Sequence, residues 1–336
     1  MNIFDKTGVH SGEKSESIPV LVITAPTATG KTALLESLFA SDALSFFAGK
    51  AEIISADSMQ VYKMLDIGTA KPDSSFCARL PHHLIDICTP DHQFGAGEFV
   101  YAADALCREI WEKGKLPVVC GGTTFYIKNF LYGLPPTPEC NAAVREELER
   151  RIKAEGADVL WHELNALDPE SAAKIHVNDE YRIKRALEVC LSTGRKRSDF
   201  AVPSKLRLGF RFCVIKLERP REVLYERIDR RVDEMFSLGL ADEFEKVRAC
   251  GYKKEDPGLQ AIGYREFFMA SASEGERGKY LDEVRELIKL DTRHYAKKQL
   301  TFFRSLPDGI AFSADDKAGI AQYISDFLSE YNNYLT

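Results

Sequence analysis

Short apolar runs alternate with segments of helical periodicity in the N-terminal part of the chain. Residues 19–24 are apolar and β-branched, which predicts a buried strand of a parallel sheet. Residues 52–55 and 116–120 predict two further strands, and apolar positions at helical spacing in residues 98–113 predict an amphipathic helix. Because strands and helices alternate, the pattern predicts an α/β fold with a parallel sheet flanked by helices.

The pattern changes after Gly133. Residues 134–138 (Leu-Pro-Pro-Thr-Pro) form a turn-rich break, and residues 141–193 are helical in pattern with short connections. Residues 208–217 return to a strand pattern before further long helices. We therefore predict a catalytic core made of residues 18–134 and 205–336, an inserted all-helical domain at residues 135–204, and a disordered N-terminal tail at residues 1–17.

Composition and cysteine usage limit where the protein acts. The chain has 336 residues, 45% hydrophobic and 29% charged, which is ordinary for a globular protein of about two domains. No run approaches the roughly 20 apolar residues that span a bilayer, and the polar start is not a secretory signal. The eight cysteines contain no Cys-x-x-Cys pair, which favours a reducing compartment. His83, Cys88 and His92 lack a fourth ligand for zinc. We expect a cytoplasmic monomer with no membrane contact.

Net charge alone argues against a nucleic-acid partner. The chain carries 45 Lys and Arg against 51 Asp and Glu, a net charge of −6. A local patch can differ from the global balance, however, and residues 289–304 carry five Lys and Arg against one acidic residue, Asp291. Arg293, Lys297 and Arg304 fall on one side of a predicted helix. From charge alone, a solvated helix face remains the simpler interpretation.

One glycine-lysine segment matches a phosphate-binding loop. It consists of Ala25, Pro26, Thr27, Ala28, Thr29, Gly30, Lys31 and Thr32. A predicted strand precedes it and a helix follows, which is the context that makes a P-loop match specific. Backbone amides and the helix N-terminus would bind an anion, Lys31 would add a charge, and the Thr32 hydroxyl is suited to Mg²⁺. The core is therefore predicted to be of the P-loop type.

The loop alone leaves two classes of enzyme open. One is a kinase or NTPase of a small metabolite, and the other is a transferase whose donor is itself a pyrophosphate. An NTPase usually has a strand that ends in Asp to help hold the metal. Here the strand at residues 116–120 is followed by Gly121-Gly122-Thr123, which favours the transferase.

Eight segments, in order along the chain, resemble the tRNA dimethylallyltransferase (isopentenyltransferase) family. They are residues 25–32, 54–62, 81–87, 121–126, 181–189, 227–235, 258–265 and 292–301. The resemblance implies a P-loop-type core with a helical insertion. It also implies transfer of a dimethylallyl group from dimethylallyl pyrophosphate to N6 of adenosine 37, next to the anticodon of tRNAs that read codons beginning with U. Ala25, Thr29 and Tyr181 depart from the family's usual residues.

The resemblance and the chemistry together assign roles at the reaction centre. The exocyclic amine must lose a proton as it attacks, so Asp57 is the predicted general base. The resemblance implies that Thr123 hydrogen-bonds near the bridging phosphate oxygen. Arg231 is the predicted pyrophosphate-binding arginine, with Arg227 equally compatible by spacing, and Mg²⁺ is the predicted cofactor. Purely structural alternatives are a turn cap for Asp57 and a helix cap for Thr123.

The predicted second substrate is a tRNA anticodon stem-loop with one base turned out of its stack. The predicted tRNA-binding residues are Ser58, Met59, Gln60, Arg145, Tyr181, Arg182, Arg185, Gly263, Tyr264, Arg265, Arg293 and Lys297. Two alternatives remain open at this point. A metabolite kinase would turn over ATP without RNA, and a noncatalytic RNA-binding switch would tolerate loss of Asp57.

Overall fold

The computed structural model describes residues 17–136, 141–200, 203–271 and 276–331. Apart from Ser17, the predicted N-terminal tail lies outside these residues. The chain divides into two compact units, Met1–Leu131 with Leu206–Thr336, and Tyr132–Lys205. These divisions lie within three residues of the predicted boundaries. The larger unit is thus assembled from two separate stretches of sequence.

The larger unit contains a six-stranded parallel sheet in the order β3-β2-β4-β1-β5-β6. The strands are β1 (Ile18–Thr24), β2 (Ala51–Ser55), β3 (His82–His83), β4 (Leu116–Gly121), β5 (Phe210–Glu218) and β6 (Ile310–Ser313). The predicted parallel α/β fold is confirmed. The edge strands β3 and β6 were not predicted, because β3 has two residues and β6 is largely exposed, so neither shows a buried apolar run.

Helices flank the sheet and build the second unit. In chain order they are α1 (Lys31–Phe39), α2 (Ser74–Arg79), α3 (Ala96–Glu112), α4 (Thr124–Tyr132), α5 (Ala142–Glu155), α6 (Ala157–Leu167), α7 (Pro169–Ala172), α8 (Glu180–Thr193), α9 (Arg221–Ser237), α10 (Leu240–Ala249), α11 (Arg277–Ser305) and α12 (Lys317–Leu328). Within the described part of the chain, none of them combines the length and apolarity that a membrane crossing requires.

The buried central strands set the position of the functional loops. β1 is buried from Pro19 to Thr24, and its residues pair in register with both neighbours, so that Thr24 lies opposite Gly121 and Lys216. Ser55 at the end of β2 likewise lies opposite Cys120. The carboxyl ends of β2, β4, β1 and β5 therefore meet at one edge, which is where parallel α/β sheets bind ligands.

The smaller unit contains helices α5 to α8. Leu160, Leu164, Ile183 and Leu187 are fully buried in its apolar core. Asp168 is also fully buried; it accepts hydrogen bonds from the Ser171 amide and from both the amide and hydroxyl of Ser198. Burial raises the pKa of Asp168, but these hydrogen bonds outweigh it and bring the pKa to about 2.

The chain leaves and re-enters the larger unit at adjacent points. The Arg207 amide donates a hydrogen bond to the Leu131 carbonyl at 3.0 Å. The Arg207 guanidinium lies 4.6 Å from the Phe130 ring centroid and pairs with Asp104. These contacts hold together the two points of the larger unit between which residues 132–205 are inserted.

Candidate active site

The phosphate loop joins the end of β1 to α1 in a conformation that exposes its helix terminus to an anion. Ala28 has φ 59° and Gly30 has φ 115°. Gly30 is the N-cap of α1 and offers no side-chain acceptor to the first amides of the helix. The Thr29 hydroxyl is 1% exposed and has no hydrogen-bond partner. Such a terminus binds anions through its amides and its dipole.

Lys31 lies folded over this loop. Its Nζ donates to the carbonyl oxygens of Ala25 and Pro26, both at 2.9 Å. Burial lowers the pKa of Lys31, while the nearby Cys120 and Asp57 raise it and Arg231 lowers it. The ammonium therefore lies in the electrostatic field of Asp57. A partly buried cation with incomplete charge compensation favours the binding of an anionic ligand.

Two arginines of α9 approach the loop from the other side. Arg227 Nε donates to the Ala28 carbonyl at 2.8 Å, and Arg231 Nη1 lies 3.4 Å from the Thr27 hydroxyl. Burial lowers the pKa of Arg231, and Asp57 raises it. The structure thus places both sequence candidates at the loop.

Asp57 and Thr123 lie at the ends of neighbouring strands and are joined through Ser58. Asp57 Oδ1 accepts a hydrogen bond from the Met59 amide at 2.9 Å, so the carboxylate does cap a turn. The Asp57 residue is half-buried. Thr123 Oγ1 accepts from the Ser58 amide at 2.9 Å and donates to Ser58 Oγ at 3.2 Å. The predicted base and the predicted threonine thus lie in two adjacent loops that these hydrogen bonds join.

Sequence reasoning missed three residues that complete this centre. The Tyr295 hydroxyl lies beside Thr123 and Gln299, and burial raises its pKa to about 12. Gln299 accepts from the Thr27 amide at 3.0 Å and donates to the Gly122 carbonyl at 2.7 Å. The Cys120 thiol interacts electrostatically with Lys31 and Asp57. Tyr295 and Gln299 are four residues apart on α11. The basic residues from which an RNA contact was predicted lie on the opposite face of this helix.

The predicted base-contacting segment follows Asp57 directly. Ser58, Met59 and Gln60 are each half-buried. Gln60 Oε1 accepts from the Ser55 hydroxyl at 2.9 Å, and its Nε2 lies 3.4 Å from the Ala70 carbonyl. The Gln60 amide is therefore bonded within the protein, and its role toward an RNA base remains a prediction.

Tyr264 holds a loop rather than facing solvent. Its side chain is fully buried, and its hydroxyl donates to Glu243 at 2.6 Å and accepts from the Gly68 amide at 3.1 Å. Glu243 also accepts from the backbone amides of Asp66, Ile67 and Gly68. A Cβ at Gly68 would lie 2.5 Å from the Tyr264 ring. The predicted tRNA contact of this side chain therefore gains no support from its position.

The residues beside Tyr264 are also engaged internally. Gly263 has φ 105°, and its amide donates to the buried Glu266 at 2.8 Å. Arg265 pairs with Glu266 at 3.0 Å and with Asp291 at 2.5 Å. The Arg265 side chain is 37% exposed, so part of its guanidinium is accessible to a ligand. Its predicted tRNA contact remains a prediction.

Two of the three predicted tRNA-binding arginines of the smaller unit meet at one carboxylate. Glu188 is buried and pairs with Arg145 and Arg185, in each case at 2.8 Å. Tyr181 and Arg182 are largely exposed at the start of α8. The structure thus brings Arg145 and Arg185 together, whereas Arg182 pairs with Asp179. The RNA contacts of all four residues remain predictions.

On α11, the two predicted contacts differ in their surroundings. Arg293 is partly buried and pairs with Asp229 on α9 at 2.6 Å. Lys297, one turn further along, is exposed. Because Asp229 already neutralises Arg293, the more accessible positive charge is that of Lys297. Both remain predicted tRNA contacts.

A magnesium ion fits this site only together with a phosphate ligand. Thr32 is exposed in the first turn of α1. In the described ranges, no three His, Cys, Asp or Glu side chains come together as a metal site. Mg²⁺ commonly combines few protein ligands with substrate phosphates and water. The Thr32 hydroxyl fits this arrangement if the ion is bound along with a diphosphate.

Comparison with curated proteins relates the whole chain to enzymes of tRNA modification. A family model described as IPP transferase matches residues 60–306. The tRNA dimethylallyltransferase of Geobacter sulfurreducens is 40% identical over 301 residues, which cover 89% of this chain and 92% of that protein. The tRNA dimethylallyltransferase of Acetivibrio thermocellus is 41% identical over 323 residues, or 94% of this chain and 99% of that protein.

Solved structures agree with these matches. The tRNA isopentenylpyrophosphate transferase of Bacillus halodurans has a TM-score of 0.64 and 34% identity, and covers 94% of this chain and 98% of that one. A eukaryotic dimethylallyltransferase, solved while acting on tRNA, has a TM-score of 0.72 and 26% identity. That match covers 94% of this chain and 79% of the eukaryotic chain.

Proposed function

This chain belongs to the IPP transferase family, and from that premise we propose that it is a tRNA dimethylallyltransferase. It transfers a dimethylallyl group from dimethylallyl pyrophosphate to N6 of adenosine 37, next to the anticodon of tRNAs that read codons beginning with U. One observation carries the proposal. The Asp57 loop is hydrogen-bonded to Thr123 through Ser58. Gln299 in turn joins the adjacent Gly122 carbonyl to the Thr27 amide of the phosphate loop, which Lys31 and Arg231 contact.

The donor end binds and stabilises the leaving group. As the bond between C1 of the prenyl group and the bridging oxygen breaks, its electron pair leaves with the diphosphate. Lys31, Arg231 and the amides at the start of α1 receive the growing negative charge. The Ser58 amide holds the Thr123 oxygen in place, and rotation of the hydroxyl proton from Ser58 Oγ to the bridging oxygen would stabilise the leaving group.

The acceptor end activates a weak nucleophile. The exocyclic amine of adenine is delocalised into the ring, so its nitrogen must lose a proton as it forms the new bond to C1. Asp57 accepts that proton. Met59 holds one carboxylate oxygen, which leaves the other for the amine. The products are N6-isopentenyladenosine, diphosphate and one proton.

Magnesium and cellular context complete the proposal. Mg²⁺ bound to Thr32 and the diphosphate would neutralise phosphate charge. The seven cysteines among the described residues are free thiols, which supports a reducing cytoplasm. We propose a monomer, to be checked by light scattering of the full chain.

Mass spectrometry of unmodified tRNA tests the reaction directly. The full-length protein is incubated with that tRNA, dimethylallyl pyrophosphate and Mg²⁺, without any nucleoside triphosphate. We expect a gain of one prenyl unit, localised by nuclease digestion to the adenosine next to the anticodon. An unchanged tRNA mass, together with ATP turnover on a small metabolite, would instead support the kinase, which the comparisons do not favour.

A further inference from the structure

Arg219 is a third arginine at the phosphate loop. It lies outside residues 25–32 and 227–235, the segments from which the loop and its arginines were predicted. It follows β5 directly, and its Nε donates to the Thr29 carbonyl at 3.0 Å. Its Nη1 and Nη2 bind the two carboxylate oxygens of Asp315 at 2.9 and 2.6 Å. A single side chain thereby connects the loop to the turn between β6 and α12.

The two members of this ion pair differ in their exposure. The side chain of Arg219 is 12% exposed, whereas that of Asp315 is 73% exposed. All three guanidinium nitrogens of Arg219 are used, in a planar fork that a lysine ammonium cannot reproduce. The exposed carboxylate adds little stability, but it fixes the orientation of the buried guanidinium.

The bond to the Thr29 carbonyl has a geometric consequence for the next amide. Because a trans peptide is planar, the carbonyl of Thr29 and the N–H of Gly30 point in opposite directions. With the carbonyl held by Arg219, the Gly30 amide is directed away from that arginine. Without that bond, the peptide could rotate at little cost, since glycine has few steric restrictions.

The same arrangement recurs one residue earlier. Arg227 Nε holds the Ala28 carbonyl, which directs the Thr29 amide in the same manner. A Cβ at Gly30 would lie 3.8 Å from Nη2 of both Arg219 and Arg227. Two guanidinium groups therefore flank the peptide that begins α1. Arg231, by contrast, lies near the Thr27 hydroxyl rather than a loop carbonyl.

We propose that Arg219 is a positioning residue for diphosphate binding. It holds the peptide between Thr29 and Gly30 so that the Gly30 amide points at the anion, and Asp315 holds Arg219 in place. This inference rests on the proposed function insofar as the loop binds the diphosphate of the prenyl donor. Its immediate ligand is the diphosphate group, whichever molecule carries it.

The test compares four variants of the full-length chain. They are Arg219→Ala, Arg219→Lys, Asp315→Asn and the control Arg230→Ala, an exposed arginine of α9. The measured quantities are the Kd for inorganic pyrophosphate by calorimetry and the KM and kcat for prenyl transfer. We expect Arg219→Ala to raise the Kd and the donor KM about tenfold and to leave kcat within about twofold at saturation.

The remaining variants separate positioning from simple charge. Lysine keeps the charge but loses the fork, so Arg219→Lys should weaken pyrophosphate binding nearly as much as alanine does. Asp315→Asn should weaken binding by about threefold, because one neutral amide still orients the guanidinium in part. Arg230→Ala should bind pyrophosphate as the unmodified protein does.

Distinct outcomes separate this inference from the proposed function. Wild-type binding by Arg219→Ala, or a changed melting temperature with an unchanged Kd, would overturn the positioning role. Full rescue by lysine would also overturn it, as would absence of pyrophosphate binding to the unmodified protein. If Arg219→Ala does not fold, Arg219→Lys and Asp315→Asn decide. Arg219-dependent pyrophosphate binding without prenyl transfer would reject the proposed function alone.

Discussion

Thr123 Oγ1 accepts a hydrogen bond from the Ser58 amide at 2.9 Å and returns one to the Ser58 hydroxyl at 3.2 Å. This pair connects the loop after β4 to the loop after β2. The first loop carries the threonine assigned to the leaving group, and the second begins with Asp57. The position of the proton acceptor is therefore coupled to the position of the leaving-group donor.

Replacing Thr123 with valine should slow prenyl transfer about 10- to 100-fold. Valine keeps the shape but removes the acceptor for the Ser58 amide and the hydroxyl aimed at the leaving group. Thr123→Ser keeps both and should retain most of the activity. Single-turnover transfer followed by mass spectrometry gives the rate. Equal rates for the valine and serine variants would contradict the assigned role.

Asp57→Asn should reduce prenyl transfer by about 10²–10⁴-fold, the usual contribution of a positioned base. The asparagine oxygen can still accept the Met59 amide, so the turn should persist. Pyrophosphate binding by calorimetry is the control and should be nearly unchanged. A variant that transferred the prenyl group at an undiminished rate would exclude Asp57 as the base.

Gly68→Ala should destabilise the protein by about 1–3 kcal/mol, the common cost of overpacking. The added Cβ would lie 2.5 Å from the Tyr264 ring, so the loop held by Glu243 must move. Because the Ala70 carbonyl lies next to the Gln60 amide, the KM for tRNA should also rise. Gly97→Ala in α3, with open space around its Cβ, is the matched control in urea unfolding.

Arg145→Ala and Arg185→Ala should each weaken tRNA binding and lower the slope of log K against log salt by about one. Both guanidinium groups are held beside Glu188, ready to contact phosphates. Arg150→Ala, an exposed arginine paired with Glu147, serves as the control. An unchanged salt slope in both test variants would remove these arginines from the proposed RNA interface.

Asp168→Asn should cost about 1–3 kcal/mol near neutral pH, because the asparagine amide faces the Ser198 donors. The folded pKa of about 2 lies below the unfolded value of about 3.9. The carboxylate therefore stabilises the fold above about pH 4, and this stabilisation is lost as the pH falls toward 2. Urea unfolding followed by Trp161 fluorescence, in a Trp111→Phe background, measures the difference between variants. A difference that did not shrink below pH 4 would contradict this assignment.

The sequence predicted those parts of the fold that depend on local pattern. β1, β2, β4 and β5 are recognisable because each contains a buried apolar run, whereas the exposed β6 lacks one. The phosphate loop was predictable since its chemistry is contiguous in the chain. Its position beside Asp57 follows from two strand ends at the same edge of a parallel sheet.

The unpredicted residues depend on contacts between distant segments. Arg219 reaches Thr29 across 190 residues of sequence, a separation that no local sequence pattern bridges. The basic residues of α11 suggested an RNA contact for this segment. Tyr295 and Gln299 lie on a different face of the helix, which turns toward the phosphate loop. Tyr264 is the opposite case. It lies in residues 258–265, which resemble the family, but its hydroxyl is bonded to Glu243 within the protein.

The hydrogen bond between the Arg207 amide and the Leu131 carbonyl joins the two stretches of the larger unit that flank the inserted sequence. Both ends of the inserted sequence depart from a single anchored point, so additions or deletions within it need not strain the sheet. Evolution can therefore lengthen, shorten or change the charge of the inserted helices while the prenyl-transfer centre keeps its geometry. Divergence in substrate choice among relatives should accordingly concentrate between these two anchor residues.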